Sequence, residues 1–235
     1  MGFPNPLTIS ADGIPRFIIV AGVIGVGKTT FTSSLAGSLK YEPLYELGTE
    51  CPYLGDFYAD PTKWAYPMQE WFKSHRYRMH QYAVWSIRAG KIAGAVMDRS
   101  IWEDTIFAQV NRDLGTIDPR NFDTYLRGFS DMVHTLMEPD VLIYLDASAE
   151  TCQRRALKRD RPEERTTAFG ADEGIPIDYL GRLRDAYDKW LTIIAPRIPV
   201  VRIPWETFRP VEQVWGEVQQ ALDERTRYTR SLVLP

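Results

Sequence analysis

The chain has 235 residues, 44% of them hydrophobic and 25% charged, enough for one sizeable buried core and short for two full domains. Its formal charge of -3 provides no basic field, so wrapping a nucleic-acid backbone is not expected, and a small phosphorylated ligand would need only a local basic cleft. Cys51 and Cys152 lack metal-ligand or redox spacing, which fits a reducing, cytoplasmic compartment and no disulfide framework.

Residues 1–15 hold Pro4, Pro6, Gly13 and Pro15, with no basic start followed by an apolar run, and read as a loose leader rather than a signal peptide. Pro6 also spoils the myristoylation pattern of Met1-Gly2, and no apolar stretch reaches the length of a membrane span. Strands are predicted at Arg16 to Ala21, Pro43 to Leu47, Gly94 to Met97, Val141 to Leu145 and Val200 to Ile203. Helical patterning fills most intervals: from Thr29 to about Leu39, from Asp60-Pro61 onward with a kink at Pro67, then Glu103 to Asp113, Asn121 to Met137, Ala149 to Lys158, Ile177 to Ile194 and Val211 to Arg225. This alternation predicts an α/β fold, a five-stranded parallel sheet flanked by helices. Arg159 to Gly174, dense in charge, Gly, Thr and Pro, reads as a mobile loop within one domain.

Gly22-Val23-Ile24-Gly25-Val26-Gly27-Lys28-Thr29 fits the G-x-x-x-x-G-K-[ST] pattern, follows a strand and opens a helix. Its glycines let backbone N–H groups and the helix N-terminus face phosphates; Lys28 can bridge the outer phosphates, and the Thr29 hydroxyl can ligate Mg²⁺. The acceptor must then be read from the strand ends on the same side of the sheet. Gln69 and Arg76, seven residues apart on the long second helix, point the same way.

Gly22 to Thr30, Tyr45-Glu46, the segment from Pro52 through Tyr58, Asp60-Pro61 and Trp64 to Gln69, Asp98 to Asp104, and Glu150 to Arg155 together resemble the deoxynucleoside kinase family, over about Arg16 to Phe208. The resemblance implies the P-loop kinase fold with a lid at about residues 155–174, ATP as phosphate donor, Mg²⁺, and a homodimer whose interface element is the Asn121 to Met137 helix. It also implies site roles. Register from the phosphate loop places the carboxylate that accepts the 5′-hydroxyl proton at Glu46; Glu42-Pro43 copies the family's local dipeptide four residues too early. Asp98 lies by Mg²⁺ with Thr29, and Arg99 contacts the phosphoryl group, where a permanently charged planar guanidinium stabilises delocalised charge. Gln69 pairs with the nucleobase edge while Arg76 works with Asp104, a charged pair that disfavours thymidine relative to purine deoxynucleosides or deoxycytidine.

Tyr58 matches the tyrosine on the sugar 3′-hydroxyl. Its acidic partner falls at Glu164, with Asp172 and Glu173 as alternatives, because about eight extra residues precede Ile175-Pro176-Ile177. Gly22, Gly25, Gly27, Lys28, Thr29 and Thr30 form the phosphate site. Arg155, Arg159 and Arg161 form the lid over the donor phosphates, with Lys158 and Arg165 extending the patch, and Phe208 ends the adenine-side segment. Trp64, Trp71, Phe72 and Trp102 are candidates for the nucleoside pocket or the core. A nucleoside monophosphate kinase of the thymidylate kinase type is the alternative within phosphoryl transfer; a nucleotide-binding subunit without activity is the alternative outside it.

Overall fold

The computed structural model describes residues 14–46, 48–164 and 174–233; Leu47, Arg165, Asp172 and Glu173 lie outside them. Five parallel strands, β1 (Phe17–Ala21), β2 (Glu42–Leu44), β3 (Ala95–Asp98), β4 (Val141–Asp146) and β5 (Val200–Pro204), form one sheet in the order β2-β3-β1-β4-β5. All five were expected from the sequence, with shifted ends. β1 is central: Ile18 pairs with Val96 on one side and Val141 on the other. All of β1 and Val141 to Leu145 of β4 are buried, which is why both read as unbroken apolar runs. Each Val, Leu, Ile or Phe side chain among them contributes about 1.5–3 kcal/mol of burial. Pro43 donates no hydrogen bond and sits on the edge strand.

Eight helices surround the sheet among the described residues: α1 (Lys28–Leu39), α2 (Leu54–Ala59), α3 (Pro61–Arg88), α4 (Asp104–Asp113), α5 (Pro119–Val133), α6 (Ala149–Arg159), α7 (Ile177–Ile194) and α8 (Val211–Val233). Asp60 caps α3 by accepting from Lys63 N at 3.2 Å, with Pro61 in the first turn. The helix continues through Pro67, which has no N–H to donate to the Lys63 carbonyl. Asp118-Pro119 repeats the same signature at α5, where Asp118 accepts from Asn121 N at 3.0 Å, so that helix starts earlier and ends earlier than the apolar pattern suggests. No helix among the described residues is long and apolar enough to cross a membrane.

Asp140, just before β4, fastens the start of β1. Its Oδ2 accepts from Arg16 N at 2.7 Å and Phe17 N at 2.8 Å, while Oδ1 is buried without a hydrogen-bond partner among the described residues. Burial pushes this carboxyl up to about 6. A folded-state value above the ordinary one means the folded chain holds the proton longer, so this group's stabilisation is full at low pH and is lost as pH rises through 6. Chemical denaturation between pH 4 and pH 7 should therefore show a fall in stability that Asp140→Asn flattens.

Candidate active site

The phosphate-loop sequence spans the turn from β1 into α1, with Gly27 at the α1 N-cap in the left-handed region. Gly25 has φ +83°, and a Cβ there would lie 2.2 Å from the Cys152 carbonyl oxygen of α6. At Gly27 a Cβ would come within 2.9 Å of the Phe208 ring. The loop is thus clamped between α6 and the segment after β5, and only glycine fits where it is pinched. Lys28 is buried, its Nζ donating to Gly22 O at 3.0 Å and Val23 O at 2.9 Å. Burial, then the neighbouring Arg99 charge, lower its ammonium to about 8. Thr29 Oγ1 donates to Asp98 Oδ2 at 2.6 Å, and Asp98 Oδ1 is buried with no hydrogen-bond partner among the described residues. Burial raises the Asp98 pKa.

A cavity of about 390 Å³ opens from this loop across the strand ends, lined by Thr29, Glu46, Asp98, Arg99 and the inner face of α3. Glu42, the register decoy, opens β2 and is exposed, whereas Glu46 lies two residues past β2 on the cavity wall. Its carboxylate accepts from two guanidinium groups: Arg76 Nη2 at Oε1, and Arg99 Nε at Oε2 at 3.0 Å. Burial alone would raise the Glu46 carboxyl, but Arg76 and Arg99 outweigh it and bring it down to about 2. Arg76 continues to Asp104, which is fully buried behind it rather than on the cavity wall, and stacks on Phe72 with its guanidinium carbon 4.9 Å from the ring centre. Gln69, one face of α3 with Arg76, lines the same cavity.

At the rim the sequence expectations are met unevenly. Tyr58 is buried and lines the cavity with Glu164, but the Glu164 carboxylate is held by Arg159 and, at 3.7 Å, by Arg161. Arg155 is not a free lid arginine. It donates to Val26 O at 2.8 Å, Trp205 O at 3.0 Å and Glu206 O at 3.1 Å, and its guanidinium lies 4.3 Å from the Phe208 ring centre. It lines the cavity together with Lys158, Arg159, Arg161 and Phe208. Thr30 also reaches the wall, while Gly22 contributes its carbonyl to Lys28. Among the expected aromatics only Phe72 lines the cavity: Trp64 stacks on Tyr53, Trp71 stacks on His75, and Trp102 is buried under Arg197. Sequence reasoning assigned no role to Glu103, Tyr187 and Phe107, which surround Arg99; the Ser100-x-x-Glu103 capping box was the one local signal, since Glu103 Oε1 accepts from Ser100 N at 3.0 Å.

A parallel sheet with a phosphate loop at the β1–α1 turn, facing Asp98 and Arg99 at the end of β3, defines a phosphotransferase of the P-loop kinase fold. The chain belongs to the deoxynucleoside kinase family, whose sequence model matches residues 18–225. A deoxyadenosine kinase of Dictyostelium discoideum is 34% identical over 218 residues, covering 93% of this chain and 83% of that protein. The deoxyadenosine/deoxycytidine kinase of Bacillus subtilis (strain 168) is 36% identical over 184 residues, 76% of this chain and 79% of the relative. The structure of a deoxyadenosine kinase from M. mycoides with bound dATP superposes with a TM-score of 0.72 at 26% identity, covering 86% of this chain and 98% of that one. These likenesses do not favour the thymidylate kinase alternative.

The clamped loop can be probed by its glycines. Gly25→Ala should destabilise the fold by about 3 kcal/mol or more, since both the backbone angle and the Cys152 carbonyl oppose a methyl group. Gly37→Ala on α1, where a Cβ meets nothing within 4 Å, should instead stabilise by about 0.5–1 kcal/mol. Denaturant melts of the two variants check both signs.

Proposed function

We propose that the chain transfers the γ-phosphoryl group of ATP to the 5′-hydroxyl of a deoxynucleoside, taking purine deoxynucleosides or deoxycytidine in preference to thymidine. The observation that carries this reading is the Glu46 carboxylate, fixed between Arg76 and Arg99 on the wall of a cavity that also holds the phosphate loop. In this reading the 5′-hydroxyl donates to Glu46. A carboxylate held near 2 is a weak base, but phosphoryl transfer is loose, and the proton moves late, when the oxygen has already bonded to phosphorus. Arg99 stabilises the charge spread over the transferring group, and Lys28 bridges the outer phosphates. Gln69 reads the base edge beside the buried Arg76-Asp104 pair, and Tyr58 meets the sugar. Arg159 and Arg161 supply donor-phosphate charge from the rim; Glu164 joins Tyr58 at the 3′-hydroxyl by exchanging its arginine partners.

The residues fit Mg²⁺. Thr29 Oγ1 and Asp98 Oδ2 lie within 2.6 Å, the second Asp98 oxygen is buried and unpartnered among the described residues, and Mg²⁺ takes one or two protein oxygens with phosphate and water completing its shell. Bound there, the ion neutralises phosphate charge. Among the described residues no group of three or more His, Cys, Asp or Glu forms a separate metal centre.

The proposal includes one cytoplasmic catalytic domain, with residues 155–174 as its lid, working as a homodimer through the α5 region. Supporting the dimer, Phe122 and Leu126 of α5 line an apolar groove with Ile106, Trp190 and the exposed Ile193. Light scattering at micromolar concentration should give twice the monomer mass; a monomer overturns the assembly.

Phosphate transfer from ATP to deoxyadenosine, deoxyguanosine, deoxycytidine and thymidine, beside their monophosphates, tests the central reading. A deoxynucleoside other than thymidine should turn over, and Glu46→Gln should lower kcat by about a hundredfold or more; turnover of monophosphates alone would overturn the reading. Because Lys28 must be charged to hold phosphate and titrates near 8, donor affinity should be flat below pH 8 and fall by up to about tenfold per pH unit above it. Lys28→Arg should remove that alkaline limb.

A further inference from the structure

The side chain that fixes Arg99 is supplied from the far end of the chain by α7. Arg99 follows β3 with φ 64°, an uncommon backbone state for a residue with a side chain, so its reach into the cavity depends on what holds the guanidinium. Its Nε is committed to Glu46, and Nη1 donates to the Tyr187 hydroxyl at 2.7 Å and more distantly, at 3.4 Å, to Glu103 Oε2. Nη2 has no hydrogen-bond partner among the described residues and is the part of the fork left over for a ligand. The Tyr187 hydroxyl accepts from Arg99 and donates to Glu103 Oε2, so a neutral group takes the short contact of Nη1 and shares it with the carboxylate behind, which stays at 3.4 Å.

We infer that Tyr187 is a positioning residue for phosphoryl transfer, holding Arg99 forward between Glu46 and the donor phosphates and keeping its ion pair with Glu103 long, at 3.4 Å. Tyr187 is fully buried and does not line the cavity, so it acts only through Arg99. Its ring is held by Tyr144 at 5.3 Å, Trp190 at 6.1 Å and Phe107 at 6.3 Å between centres, and Phe107 also lies under the Arg99 guanidinium at 4.6 Å. Burial pushes the phenol well above its ordinary pKa, so the hydroxyl remains a donor to Glu103 at every working pH. Without that hydroxyl, nothing competes with Glu103 for Arg99 Nη1, and the 3.4 Å contact between them is free to shorten. Two opposite charges in a poorly solvated site close up when nothing stands between them, which draws the guanidinium back.

The inference rests on the proposed role of Arg99, and a double-mutant cycle separates the two. Tyr187→Phe should lower kcat about tenfold, the scale of one hydrogen bond to a charged group, with KM for the deoxynucleoside changed by less than about twofold. Tyr144→Phe is the control: it removes a neighbouring buried hydroxyl that has no hydrogen-bond partner among the described residues, and kcat should not move. Arg99→Lys should lower kcat further, and adding Tyr187→Phe to it should cost nothing more, because the hydroxyl then has no fork to orient. Multiplying losses in the double variant, or full activity in Tyr187→Phe, overturns the positioning role. Full activity in Arg99→Lys overturns the reading beneath it. If Tyr187→Phe yields no cooperative melt, Glu103→Asp, which withdraws the acceptor of the Tyr187 hydroxyl while keeping its charge, takes its place in the same cycle.

Discussion

The cavity is organised by one carboxylate gripped by two guanidinium groups. Glu46 lies beyond the end of β2, Arg76 on α3 and Arg99 beyond β3, so their meeting ties three elements together at the open ends of the strands. An isolated charge in such a place would be costly, and removing one member of the set would leave its partners buried and uncompensated. The network therefore extends outward from Glu46: Arg76 to Asp104 and Arg99 towards Glu103, while the neighbouring Asp98 carboxylate takes only the Thr29 hydroxyl. Function and stability are drawn from the same ion pairs, and the lowered Glu46 pKa expresses that coupling.

Balance also explains the rim. Close around the cavity, Lys28, Arg76 and Arg99 are set against Glu46, Asp98, Glu103 and Asp104, which is no surplus of positive charge for a triphosphate. The surplus lies outside, on Lys158, Arg159 and Arg161 at the end of α6. Arg155 has a different environment from its neighbours. Bound to carbonyls on both the phosphate loop and the segment after β5, it holds those two walls at a set distance.

How much of this was legible in the sequence follows from the range of each interaction. The strands were legible because burial on both faces writes a continuous apolar run, and the phosphate loop because its glycines are demanded by local backbone geometry. The start of α5 is written in Asp118-Pro119, the same capping signature as Asp60-Pro61, whereas the apolar residues of the helix begin only at Phe122 and suggest a later start. The short α2 offers too few turns for periodicity to register. Glu46 and Glu42 differ in exposure rather than in local chemistry, and only register from the phosphate loop separated them. Tyr187 could not be found at all, since the residues it joins lie 84 and 88 positions away and nothing local to α7 distinguishes it from any other buried aromatic.

The strand order carries a consequence for how the chain is made. β1 emerges first, yet it occupies the middle of the sheet, and its partners arrive much later: Ala95 for Phe17, Val141 for Ile18, and Asp140 for the first amides of the strand. During synthesis the most apolar segment near the N-terminus finds its first partner in β3, and its other edge must wait until some 120 later residues have left the ribosome. Topology of this kind folds slowly, because loop closure is unfavourable until distant contacts form. Until β4 arrives the nascent chain presents an unpaired edge of β1, and its exposure to aggregation is set by the speed of translation as much as by the stability of the finished fold.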